Sequence, residues 1–219
     1  MSLFTISNLT KTYGEGHAKV VALNNVSLDL PEGKFIVILG ASGSGKSTLL
    51  NMLGCMDRAT SGSIYFGKTD LNTFNKRQMT AFRGEYIGFV FQSYNLLPDL
   101  TALENVEFST ELAGLSRKEA LSALNSVGLS ERVNHYPAEL SGGEQQRVSI
   151  ARAIAKNPKV LLCDEPTGAL DFNTGNMIIE LLKNIQKTQN TSVLLITHNR
   201  EIADVADVVI TLRSGEVVQ

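Results

Sequence analysis

The 219-residue sequence predicts an α/β fold, a mainly parallel sheet covered by helices and interrupted by a helical insertion. Three observations predict it. Residues 35–39 and 160–163 are unbroken apolar runs of strand length, as expected of strands buried on both faces. Such runs alternate with helix-length segments. From about Ser93 to Lys156 the pattern is helical and carries three S/T-x-x-E capping boxes, Thr101…Glu104, Ser116…Glu119 and Ser141…Glu144.

Element by element, residues 3–6 and 20–23 are short β-type stretches set around the turn residues Tyr13-Gly14-Glu15-Gly16. Residues 35–39 form the first buried strand, and 47–56 the helix after it. Residues 63–66 and 87–91 are further short strands. Beyond the helical stretch, residues 160–163, a helix over roughly 174–187, and strands at 192–196 and 208–212 restore the alternation. The core is expected to comprise residues 1–92 and 157–219, with 93–156 as the helical subdomain.

The apolar fraction, 43%, is enough for a sizeable core, and a net charge of −2 argues against nucleic acid as the main ligand. Cys55 and Cys163 lie far apart in apolar surroundings without C-x-x-C spacing, so buried thiols are expected rather than zinc or a disulfide. No basic segment followed by an apolar one opens the chain. The longest apolar runs are strand-sized, whereas a membrane-spanning helix needs about 20 apolar residues. A soluble, cytoplasmic chain without direct membrane insertion is expected.

Gly40-Ala41-Ser42-Gly43-Ser44-Gly45-Lys46-Ser47 fits G-x-x-x-x-G-K-[ST], placed after a strand and opening a helix. Glycines let the backbone curl so that N–H groups face phosphate oxygens, and the helix N-terminus adds its positive end. Lys46 is expected at the terminal phosphates and Ser47 on Mg²⁺. An apolar strand then runs into Asp164-Glu165. Neighbouring strand residues face opposite ways, so Asp164 is expected near the metal and Glu165 at an attacking water. Leu140-Ser141-Gly142-Gly143-Glu144 is a capped helix start. Two glycines in its first turn cost up to about 1 kcal/mol each, which makes sense if a ligand approaches the backbone there. This is a second phosphate cradle.

The order of these motifs resembles the ABC transporter ATPase family over essentially the whole chain. The resemblance implies a P-loop NTPase with an N-terminal antiparallel β subdomain and an inserted α-helical subdomain. It implies that Tyr13 stacks on adenine, that residues from Gly40 to Thr48 bind phosphate, and that Gln92 is the Q-loop glutamine, near the metal. Ser141, Gly142, Gly143 and Glu144 are similar to the signature sequence, Asp171 to the D-loop aspartate and His198 to the switch histidine. The expected cofactors are ATP and Mg²⁺. The expected partners are a second copy of the chain, whose signature covers the phosphate, and a membrane permease on a separate chain. Glu144 stands where the commonest family form has glutamine.

Residues 53–62, 89–92 with 95–98 and 103–106, and 166–171 are similar to the lipoprotein-releasing and macrolide-exporter type ATPases. Antimicrobial-peptide resistance and cell-division ATPases share much of that pattern. A P-loop GTPase or small-molecule kinase is the competing class, but neither explains Ser141–Glu144, and Asn75-Lys76-Arg77-Gln78 lacks the aspartate of a GTPase's N-K-x-D. A soluble, non-transport ABC protein is the other competitor. Long insertions or tandem cassettes, usual there, are missing from this sequence.

Overall fold

A computed structural model describes residues 1–218, the side chain of His17 excepted. In chain order the elements are β1 (Ser2–Tyr13), β2 (Val20–Pro31), β3 (Phe35–Leu39), α1 (Lys46–Leu53), β4 (Ser61–Phe66), β5 (Thr69–Asp70), α2 (Lys76–Tyr86) and β6 (Ile87–Phe91). They continue with α3 (Ala102–Leu112), α4 (Arg117–Ser126), α5 (Gly142–Ile154), β7 (Val160–Asp164), α6 (Phe172–Gln189), β8 (Ser192–Thr197), β9 (Val208–Arg213) and β10 (Glu216–Val218). The chain divides into two units, one of Met1–Arg83 with the stretch from Leu194 onward, the other of Gly84–Val193.

The first unit holds an antiparallel sheet in the order β2-β1-β4-β5 and a second sheet segment in the order β10-β9-β3-β8. β3 and β9 run parallel, with Ile36 opposite Val208 and Leu39 opposite Thr211. β1 and β2 are far longer than the stretches legible in sequence, because their register shifts break the alternation. One shift falls at Asn8, which is in the left-handed region at φ +51. Phe35, Val37 and Ile38 are fully buried, and α1 adds Leu49, Leu50, Met52 and Leu53 to the core.

α2 escaped the sequence reading because it is polar almost throughout and buries only Phe82. That ring stands edge-on to Phe66 and Phe74, at 5.1 and 5.9 Å between centroids. Its burial contributes on the order of 2–3 kcal/mol, so a single aromatic anchors the helix. Both cysteines are buried, as expected. Burial pushes the Cys55 thiol up to about 11 and raises Cys163 further.

In the second unit β6 and β7 pair in parallel, with Phe91 opposite Asp164. α5 packs on β6 and against α3 and α4. The close approach requires Gly88, where a Cβ would lie 2.7 Å from the Ala153 carbonyl. Val106, Leu124, Val148, Ile150 and Ala151 fill the helical core. Among the described residues no helix is long and apolar enough to cross a membrane.

All three capping boxes form. At α5 the Ser141 N–H and hydroxyl donate to Glu144 at 2.9 and 2.8 Å, and Arg132 Nε donates to its other oxygen at 2.9 Å. Arg132 first, then the Ser141 bonds, hold the Glu144 carboxyl at about 2, below the ordinary 4.5. A depressed carboxyl stabilises the fold above 4.5, and that contribution is lost as pH falls toward 2. Glu144→Gln keeps a capping side chain but loses the ion pair, so its melting temperature is expected about 1–3 °C below wild type. The gap should stay constant from pH 7 to 5 and shrink below 4.5. A gap unchanged down to pH 3 in a thermal-melt series would refute this account.

Candidate functional site

The loop after β3 is shaped by close backbone contacts as much as by flexibility. A Cβ on Gly40 would lie 2.4 Å from the Leu212 carbonyl, and one on Gly45 2.4 Å from the Ala22 carbonyl. Gly43 and Gly45 take φ of +76 and +99, values that side-chain-bearing residues rarely adopt. α1 opens at Lys46, so the positive end of its dipole faces the loop. The Lys46 ammonium, with its residue only 6% exposed, donates to the Gly40 and Ala41 carbonyls, both at 2.9 Å. Ser44 Oγ is buried and has no hydrogen-bond partner among the described residues. A buried cation bonded to two neutral carbonyls, beside a hydroxyl without a partner among the described residues and a helix N-terminus, fits a phosphate-bearing anion. Ala41 and Ser42 form the exposed outer rim of the loop.

Tyr13 ends β1 with its ring 41% exposed. Its phenol donates to Asp57 at 3.0 Å, Lys11 Nζ lies 4.7 Å from the ring centroid, and Lys11 pairs with Asp57 at 2.9 Å. Thr48 of the loop helix is a further hydrogen-bond partner of the phenol. Partial burial, then the Asp57 bond, raise the Tyr13 phenol. The structure thus brings Tyr13 beside the phosphate loop as a pinned, exposed aromatic face. His198 is exposed just after β8, the strand next to β3.

In the second unit the parallel register sets the ends of β6 and β7 side by side, so Gln92 and Glu165 follow neighbouring strand ends. Glu165 is left-handed at φ +45, strained for a residue with a side chain. Gly168 N–H closes the turn onto the Glu165 carbonyl at 3.0 Å. The Gln92 side chain lies over this turn, since a Cβ on Gly168 would stand 2.7 Å from Gln92 Nε2.

The sequence reading gave the Gly142 and Gly143 pair to ligand approach, and the structure adds a second cause. A Cβ on Gly142 would lie 2.9 Å from the Tyr94 hydroxyl, and one on Gly143 2.5 Å from Thr174 Cγ2. Thr174 N–H is itself capped by Asp171 at 3.1 Å, so Asp171 serves as the N-cap of α6. Ser141 is exposed at the α5 N-terminus. The Glu144 oxygens are taken by Ser141 and Arg132, which gives Glu144 a structural duty.

Sequence reasoning missed three side chains that shape these turns. Gln146, on α5, is wholly buried and reaches both strand ends. Arg152 donates to the Tyr94 and Asn95 carbonyls at 2.9 and 2.6 Å, and those two residues are left-handed. Asn105 ties down the 97–101 segment. The available signal was a pair of polar residues, Gln146 and Ser149, at helical spacing on an otherwise apolar stripe with Ile150 and Ala153.

Comparison with known proteins gives the same assignment across the chain. A family model described as ABC transporter matches residues 23–168. The ABC transporter ATP-binding protein MJ0796 of Methanocaldococcus jannaschii is 46% identical over 98% of this chain and 95% of its own. Its dimeric structure in a post-hydrolysis state, bound to ADP and Pi, matches with a TM-score of 0.90 over 99% of this chain and 97% of that one. The lipoprotein-releasing system ATP-binding protein LolD of Geobacter metallireducens is 44% identical over 99% of this chain and 98% of its own. The macrolide export ATP-binding/permease protein MacB of Brucella melitensis is also 44% identical over 99% of this chain, which spans 34% of that longer protein. With a buried P-loop lysine, a capped Ser-Gly-Gly helix and an acidic strand end on one chain, and relatives matching end to end, this protein belongs to the ABC transporter family as an ATP-binding, ATP-hydrolysing subunit.

Proposed function

We propose that the chain dimerises around a pair of ATP–Mg²⁺ and drives a membrane permease carried on a separate chain. The system would be one of export or mechanotransmission, handling lipoprotein, peptide or antibiotic. The observation that carries this reading is the strand-end arrangement of the second unit, where Gln92 lies over the turn that holds Glu165 in a strained conformation. Tyr13 would stack on adenine, and Gly40 through Thr48 would bind the phosphates, with Lys46 compensating their charge. Glu165 and His198 would orient the attacking water and the γ-phosphate. Ser141 and its glycines would cap the partner's nucleotide, with Asp171 supporting that face. The names of LolD and MacB favour a cargo of this kind.

Ser47, Gln92 and Asp164 are oxygen donors of the kind Mg²⁺ takes. No group of three or more His, Cys, Asp or Glu suited to a metal occurs among the described residues. The remaining ligands would therefore be phosphate oxygens and water. The ion would spread the negative charge of the transferring phosphate.

Permease docking falls to residues 93–100. Leu97 is 42% exposed, while its own N–H and carbonyl are both bonded to the Asn105 side chain. The backbone is fixed and the leucine faces outward, which suits a partner helix. Tyr94 differs, since its hydroxyl packs against Gly142. Docking there would hold the chain as a peripheral protein at the inner face of the cell membrane.

Three experiments test this reading. Glu165→Gln is expected to bind ATP but lose turnover by about 10²-fold or more, accumulating an ATP-bound dimer on gel filtration; near wild-type turnover would move the base elsewhere. Lys46→Ala and Ser141→Arg should each cripple a homodimer, and mixing them should restore partial ATPase through one intact composite site. No recovery at any ratio would reject sites shared between copies. Leu97→Asp should leave melting temperature and ATP affinity nearly unchanged while abolishing permease co-purification. An early-melting variant would instead assign Leu97 to packing.

A further inference from the structure

Gln146 is a polar side chain in a wholly buried place on α5. It is 0% exposed, near the start of α5, and its Nε2 donates to the Pro166 carbonyl at 2.8 Å and, more weakly, to the Phe91 carbonyl at 3.4 Å. Its Oε1 is buried and accepts no hydrogen bond from any described residue. A half-satisfied buried amide is a poor packing element, so the donor half calls for a reason.

The two carbonyls supply one. Phe91 immediately precedes Gln92, and Pro166 immediately follows Glu165. Their strands are aligned, Phe91 opposite Asp164, so one amide group spans both strand ends where the chain turns toward the reacting groups. Glu165 sits at φ +45, a conformation that persists only where surrounding bonds determine it. The Gly168 bond closes that turn from within, and Gln146 holds it from a different element. Arg152, farther along the same helix, grips the other flank of Gln92 through the Tyr94 and Asn95 carbonyls.

We propose that Gln146 is a positioning residue for ATP hydrolysis, whose amide locks the Gln92 strand end and the Glu165 turn to the helix that begins at Ser141. Any displacement of the Ser141 end of α5 then reaches Glu165 through one side chain rather than through the length of the chain. The proposal rests on the reading of Glu165 as the residue that orients the attacking water.

The test uses the full chain and the near-isosteric Gln146→Met, which removes both donors and the orphaned acceptor together. Steady-state ATPase, binding of a fluorescent ATP analogue and thermal melts are measured at a temperature well below the variant's melting point. The expected result is a kcat loss of about tenfold or more, with KM and analogue affinity within about twofold of wild type. A kcat within about fivefold of wild type, or a rise in KM that accounts for the whole loss, overturns the proposal. Should the methionine variant not fold, Gln146→Asn, which withdraws the amide by one methylene, is judged by the same criterion. Glu165→Gln runs alongside. If it turns over ATP like wild type, the assignment of Glu165 fails; if it is inactive while Gln146→Met is fully active, only the role of Gln146 fails.

Discussion

A positive charge held away from water is the constraint around which the first unit is built. The Lys46 ammonium meets two carbonyl oxygens and little solvent, and dipoles of that kind offset only part of the desolvation of a cation. Bringing those carbonyls back over the lysine requires the left-handed turns at Gly43 and Gly45. It also requires the loop to run against the backbone of β2 and β9, where Gly40 and Gly45 leave no room for a side chain. β9 pairs with β3 and β2 passes the loop at the Ala22 carbonyl, so both strands share in that tight fit. The arrangement leaves the remaining compensation to an anion, so affinity for such a ligand and the cost of building the loop would be one quantity viewed from two sides.

The second unit solves a different problem, which is to hold polar groups at the ends of buried strands. Parallel pairing sets which residues are neighbours, and the side chains of α5 then fasten the turns beyond. This division explains what could be read from sequence. The parallel strands, the phosphate loop and the three capping boxes depend on local spacing, and each appears in the structure close to where spacing places it. α2 was invisible because one phenylalanine gives no periodicity. β1 and β2 were read as fragments because their register shifts interrupt the alternation that marks a strand.

The candidate site was legible to the same extent. Residue types at loops and strand ends announce their chemistry, but their supports do not. Asp57 reaches Tyr13 across a long stretch of chain, and Gln146 joins the end of β6 to the turn after β7, carbonyls that lie far from it in sequence. The signature glycines show the limit of arguing from residue type alone. Their missing side chains admit a ligand in the sequence reading, yet Tyr94 and Thr174 already occupy much of the space a Cβ would need. A glycine can serve two neighbours at once, and only the fold tells which are present.

The Asn105 amide has a consequence for how such a protein can change over time. It fixes residues 97–101 entirely through main-chain atoms, accepting from the Leu97 N–H at 2.8 Å and donating to the carbonyls of Leu97, Leu100 and Thr101. The contour of the segment is therefore held without help from the exposed side chains of Leu97 and Asp99, while Pro98 fixes its own backbone angle. Mutational drift there can rewrite the chemical character of the surface while its contour stays constant. A lineage could in this way alter that surface without passing through an unfolded intermediate, with Asn105 of α3 as the side chain that holds its contour.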